Sequence, residues 1–63
     1  MQHEERYRGY TIKVRRTTEL AAVSWPPGGG LAMTEIAYAS LDEGLSVVLS
    51  KAKSLIDSDI AAG

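Results

Sequence analysis

The chain contains no cysteine, and its only histidine, His3, lies near the start. The absence of thiols excludes disulfide bonds and thiolate metal sites. His3 has no potential metal ligand or catalytic partner at a suitable spacing, so we expect no metal and no cofactor. No Ser/His/Asp arrangement or acid–base pair is apparent either. We therefore predict that the protein is not an enzyme.

Long apolar runs are also missing. No segment approaches the roughly 20 residues that a transmembrane helix requires. The first residues, MQHEERYR, lack the apolar segment of a signal peptide. We therefore predict a cytoplasmic protein that has no membrane partner.

Large side chains are scarce, because the 63 residues include no phenylalanine and one tryptophan. A chain of this length buries only about 60% of its unfolded surface. Disulfides and metals are not expected to add stability, so association with a second copy is the simplest way to bury more. We predict a homodimer, formed through either an edge or a face of its sheet.

The longest periodic segment, residues 40–60, predicts an amphipathic helix. Ser40 and Glu43 have the spacing of a capping box, so we expect the helix to begin there. Gly44 is unfavourable inside a helix and suggests that a strand crosses closely at this point. The predicted apolar face recurs at steps of three and four residues. It comprises Leu41, Leu45, Val48, Leu49, Ala52, Leu55, Ile56 and Ile60.

Two segments before the helix have the composition of strands. Residues 7–16 alternate between apolar and polar side chains, which predicts a half-buried strand in which Gly9 marks a bulge or a close approach. Residues 20–25, LAAVSW, predict a second strand covered on both faces. These strands should form an antiparallel hairpin, and residues 26–30, PPGGG, should form a surface loop.

Residues 31–39 can be interpreted as a strand or as a helix, and we favour a third strand around residues 33–38. The resulting fold is α+β, with a three-stranded antiparallel sheet (β-β-β-α) and one long C-terminal helix packed on one face. Residues 1–63 form a single domain, with 1–6 as a loose lead-in and 61–63 as a frayed C-terminus.

The net charge of −1 argues against a general polyanion binder, but the charges are unevenly distributed. Basic residues gather near the tyrosines of the first strand, and this pattern can bind single-stranded nucleic acid through phosphate contacts and base stacking. The alternative is a solvated outer face. Trp25 is either the largest block of the core, which we favour, or an exposed anchor for a partner. The candidate contact residues are Arg8, Lys13, Arg15, Arg16 and Trp25.

Three stretches carry a resemblance to small uncharacterised bacterial domains: Tyr7-Arg8-Gly9-Tyr10, Val23-Ser24-Trp25-Pro26 and Ser40-Leu41-Asp42-Glu43. Across residues 7–57 the chain is also distantly similar to the HicB-like antitoxin fold. The usual Gly-Asp/Glu-Thr/Ser approach to the helix is replaced here by Tyr38-Ala39-Ser40. The resemblance implies the fold and a protein-binding role, and it transfers no site residue.

From these observations we predict a non-catalytic protein-interaction module that self-associates. The alternative is a nucleic-acid-binding protein that uses the basic first strand.

Overall fold

The computed structural model describes residues 2–63 and has an α+β architecture. The elements are β1 (Gln2–Tyr7), β2 (Tyr10–Arg16), β3 (Leu20–Trp25), β4 (Ala37–Ala39) and α1 (Leu45–Ala62). The strands form an antiparallel sheet in the order β1-β2-β3-β4, which is also their order along the chain. The helix α1 lies across one face of the sheet, mainly over β3 and β4.

The prediction of three strands was wrong, because the segment interpreted as a loose lead-in contains a fourth strand, β1. Met1 lies outside the described residues. Arg8 and Gly9 separate β1 from β2, and their φ angles of 52° and 84° are those of a two-residue type I′ hairpin turn. Tyr7 faces Tyr10 across this turn. Gly9 is therefore a turn residue rather than a bulge.

The third predicted strand is shorter than expected and begins later. β4 contains only three residues, and its first residue, Ala37, pairs with Ala22 of β3. Two residues further along β3, the Ser24 carbonyl accepts a hydrogen bond of 2.8 Å from the Met33 N–H. Met33 and Ala37 are thus four positions apart, whereas their partners in β3 are two positions apart, so the intervening segment bulges out of the sheet. No part of residues 31–39 is helical.

The helix begins five residues after Ser40, although both hydrogen bonds of the predicted capping box are present. The Ser40 N–H donates to Glu43 Oε1 at 2.9 Å, and the Glu43 N–H donates to Ser40 Oγ at 3.1 Å. These bonds close a separate turn. Gly44 then adopts φ 87° and ψ 178°, a conformation that is almost exclusive to glycine, and α1 starts at Leu45.

The expected close crossing at Gly44 is not present, because a Cβ at this position would meet no atom within 4 Å. The helix continues to Ala62, and the Gly63 N–H donates to the Asp59 carbonyl at 3.1 Å. The fraying predicted for residues 61–63 is therefore not seen at Ala61 and Ala62.

The apolar face of the helix is confirmed from Leu45 onward. Val48, Leu49, Ala52 and Ile56 are buried, whereas Leu41 precedes the helix and is 41% exposed. The apolar side chains of the sheet meet this face. The core contains Tyr10, Ile12, Val14, Leu20, Ala22, Ala37, Ala39, Val48, Leu49, Ala52 and Ile56. Within residues 2–63, the helix does not combine the length and the apolar character that a bilayer crossing needs.

Candidate binding surfaces

The helix covers one face of the sheet and leaves the other uncovered. Side chains alternate between the two faces along each strand, and directly paired residues share a face. Because Ile12, Val14 and Ala22 are buried under the helix, their strand neighbours point to the uncovered side, which we call the open face. The open face comprises Gln2, Glu4, Arg6, Thr11, Lys13, Arg15, Ala21, Val23, Trp25 and Tyr38.

Of the five candidate contact residues, the fold brings three together on the open face: Lys13, Arg15 and Trp25. Arg8 lies in the β1–β2 turn. Arg16 pairs with Leu20, whose side chain is buried, so Arg16 belongs to the helix side of the sheet. The predicted basic strand therefore divides its cations between two surfaces.

Trp25 is half-buried on the open face and is not part of the core beneath the helix, so the preference for a core position was wrong. The Lys13 ammonium lies 5.2 Å from the centroid of the Trp25 ring, which is a cation–π distance. Both residues line a shallow groove. The other lining residues are Gln2, His3, Glu4, Val14, Arg15 and Val23.

A group of polar contacts, which we call the clamp, ties the β1–β2 hairpin to the C-terminal half of α1. The Tyr7 hydroxyl and Arg8 Nη1 each donate to Asp57 Oδ1 at 2.9 Å. The Tyr10 hydroxyl donates to Asp59. These bonds lower the pKa of Asp57, chiefly through Arg8, and raise the pKa values of Tyr7 and Tyr10.

Glu5 extends the clamp along β1. Lys53 Nζ lies 2.8 Å from Glu5 Oε2, and His3 Nε2 lies 3.4 Å from Glu5 Oε1. The hydrogen bond from Lys53 is the largest cause of the lowered pKa of Glu5. The carboxylates of Glu5 and Asp57 are thus paired with cations within the protomer.

The two edges of the sheet differ. In a two-residue hairpin the pair that closes the turn is hydrogen-bonded, and bonded pairs alternate with non-bonded pairs. The backbone groups of Gln2, Glu4 and Arg6 therefore point outward from β1. At the opposite edge, Lys51 Nζ donates to the Tyr38 carbonyl of β4 at 3.0 Å.

No hydrogen bond within residues 2–63 covers the outer edge of β1 in the same way. β1 also offers six residues, whereas β4 has three. The edge of β1 is therefore the longer and more accessible of the two for pairing with another strand.

Sequence reasoning missed both β1 and the clamp. A glycine between two tyrosines, in Tyr7-Arg8-Gly9-Tyr10, is a usable signal for the hairpin turn. The clamp joins residues that are 48 to 50 positions apart along the chain, so no local pattern could reveal it.

Within residues 2–63, no group of three or more metal-ligating side chains is arranged to hold an ion. Comparisons of the chain with family models, with curated proteins and with solved structures found no match. The resemblance to HicB-like antitoxins therefore stays a prediction from sequence.

Proposed function

We propose that this protein is a non-catalytic interaction module that associates through the free edge of β1, and that its partner is a second copy of the chain. The observation that carries the proposal is the contrast between the two edges. In the six-residue β1, three residues present outward backbone groups, whereas β4 is short and the Tyr38 carbonyl in it accepts a bond from Lys51. Edge pairing uses these backbone groups directly.

Charge favours the edge over the open face as the contact between copies. The open face carries Arg6, Lys13 and Arg15 against the single carboxylate of Glu4. Packing two such faces together would oppose like charges and bury them without partners. Pairing through β1 instead keeps both open faces in solvent.

One antiparallel register of two β1 strands is self-complementary. When the two-fold axis passes at Glu5, Glu4 of each copy lies opposite Arg6 of the other. Directly opposed opposite charges stabilise a strand pair. The two Glu5 side chains then face each other on the helix side, where each is already neutralised by Lys53 at 2.8 Å.

The competing register places the axis at Glu4 and opposes the two Glu4 carboxylates. No salt bridge within residues 2–63 neutralises Glu4. Like charges directly opposite each other are destabilising. We therefore favour the register centred on Glu5.

A two-fold axis perpendicular to the sheet would produce a continuous eight-stranded sheet with both helices on the same side. Pairing of one short edge buries little apolar surface, so we expect a weak dimer with a dissociation constant on the order of micromolar or higher. The resemblance to HicB-like antitoxins implies a protein-binding role as well.

Charge reversal tests both the edge and the register by sedimentation equilibrium from micromolar to millimolar concentration. Glu4→Arg and Arg6→Glu should each weaken association about tenfold or more, because each variant opposes like charges twice across the axis. The double variant should recover it. Glu19→Arg, in the exposed β2–β3 loop, is the matched control and should associate like the wild type.

A proline provides an independent test of the edge. Glu4→Pro removes an outward N–H that the hairpin does not use, so it should abolish association and leave the protomer folded. A dimer that survives Glu4→Pro would show that β1 is not the contact. A wild-type protein that stays monomeric throughout this range would refute self-association, and equal behaviour of the single and double variants would refute the register.

A further inference from the structure

We propose that the open face binds single-stranded nucleic acid, with Trp25 and Tyr38 as stacking surfaces and Lys13 and Arg15 as phosphate contacts. The site lies within one protomer, so it does not depend on association through β1. Single-stranded nucleic acid is bound by combining a positively charged surface with exposed aromatic rings.

The first support is the segregation of charge. The chain as a whole has a net charge of −1, yet the open face carries three cations and one carboxylate. Arg6 and Arg15 form no salt bridge within residues 2–63, whereas Arg8 and Lys53 on the helix side are paired with carboxylates. The unpaired cations on the open face are therefore available to an anionic ligand.

The second support is the position of the aromatic rings. Tyr38 is 49% exposed and pairs with Ala21, and Trp25 lies four residues further along β3. At the rise of a β-strand the two positions are roughly 13 Å apart along the sheet. Between the two rings, β3 carries only the small side chains of Ala21 and Val23 on this face. No bulky group therefore blocks a nucleic-acid strand that crosses the open face.

The third support is the contact of Lys13 with the Trp25 ring at 5.2 Å. A base that stacks on the indole takes the place of the ammonium, which is then free to move onto the adjacent phosphate. Arg15 follows two residues along β2 on the same face. The cations thus lie on β2 and the aromatic rings on the neighbouring β3 and β4, so a nucleic-acid strand that runs along the sheet can place its phosphates over one side and its bases over the other.

An acidic protein segment is the main competitor for a basic face. It would use the cations, but its carboxylates would gain nothing from stacking on the Trp25 and Tyr38 rings. Duplex DNA would make backbone contacts without unstacked bases to place on the rings. The aromatic component therefore favours a single strand over both alternatives.

The sole tryptophan of the chain allows the site to be observed directly. A mixed-sequence oligonucleotide of about 12 nucleotides should quench Trp25 fluorescence saturably at about 50 mM salt. With the two phosphate contacts of Lys13 and Arg15, the logarithm of the affinity should fall with the logarithm of salt at a slope of about −1.4. Absence of saturable binding would refute the proposal.

Adjacent arginines on opposite faces form a matched pair of variants. Arg15→Glu should lower affinity about tenfold or more, whereas Arg16→Glu, with the same change of charge, should alter it less than about twofold. Equal losses would indicate general electrostatic attraction and would refute the open face as the site. Circular dichroism of both variants should show the wild-type fold, since both side chains are exposed.

Stacking is tested with Trp25→Leu, followed by the anisotropy of a labelled oligonucleotide. Loss of one stacked base should reduce affinity about fivefold or more with an unchanged salt slope. An unchanged affinity would refute the role of Trp25. Polyglutamate is the comparison ligand: if it binds as tightly as the oligonucleotide and displaces it, the face recognises acidic protein segments and the proposal fails.

Discussion

The helix is held to the two sides of the sheet by different forces. Over β2, β3 and β4, buried apolar side chains make the contact, and Val48 and Ile56 of the helix are fully buried. At β1 and the β1–β2 turn, the clamp makes it through exposed groups such as Arg8 and Asp57. Burial of apolar surface is strong and independent of pH, whereas exposed ion pairs are weak and depend on pH and salt.

The apolar contact supplies most of the stability of this small domain. The clamp joins the hairpin to the helix, and it pairs carboxylates that lie unfavourably near the negative C-terminal end of the helix dipole. β1 itself contributes little apolar surface, and its outer edge stays free.

The largest loss of stability is expected when buried volume is removed from the apolar contact between the helix and the sheet. Ile56→Ala should lower the free energy of unfolding by about 2–5 kcal/mol, through lost burial and the resulting cavity. In a domain of this size such a loss can remove most of the folded population. Leu31→Ala is the control, because Leu31 is 91% exposed. Thermal unfolding measures the stability of both variants, and equal stability of the two would contradict the assigned core.

An intermediate loss of stability is expected at the start of the helix, because the position of this start determines how the apolar face of the helix meets β3 and β4. Gly44→Ala should cost about 1–3 kcal/mol of unfolding free energy, since alanine is strained at φ 87° and ψ 178°. Ser40→Ala removes one bond of the capping box but does not touch the helix itself, so it should cost less. Urea unfolding of the two variants gives the order, and a larger loss at Ser40 would contradict the observed helix start.

The smallest effect is expected from the clamp, and it should depend on pH. Asp57 has a lowered pKa in the folded state, so its contribution to stability is present above the pKa of the unfolded chain and is lost as pH falls through the folded value. Asp57→Asn should therefore be slightly less stable than the wild type at neutral pH and should match it in acid. Thermal unfolding from neutral to acidic pH tests this, and a difference that persists unchanged in acid would contradict the ion pair.

The sequence predicted the elements whose signals are local and strong. The helix face from Leu45 to Ile60 and the alternation in β2 led to the correct elements, because apolar periodicity reflects which side is buried. β1 was missed because the side chains it turns toward the helix are His3, Glu5 and Tyr7, which show no apolar alternation. The helix start was misplaced because the capping box also closes an isolated turn, and the decisive feature is the backbone of Gly44.

The candidate surface could be predicted only in part. Once β2 is recognised as a strand, the alternation of its side chains places Lys13 and Arg15 on one face and Arg16 on the other. Adding Trp25 to that face requires the β2–β3 register, in which Thr11 lies opposite Trp25. The accessibility of the β1 edge requires knowledge of β1 itself, and the bond from Lys51 to Tyr38 depends on tertiary packing.

The span of the clamp along the chain has a consequence for the order of folding. Its bonds connect residues that are 48 to 50 positions apart, whereas the β1–β2 hairpin closes across two residues. Closing so long a loop costs more chain entropy than closing the hairpin, so we expect the hairpin to form early and the clamp to form late. Contacts that form after the transition state mainly slow unfolding. We therefore expect the clamp to prolong the lifetime of the native state by slowing its unfolding, without hastening its formation.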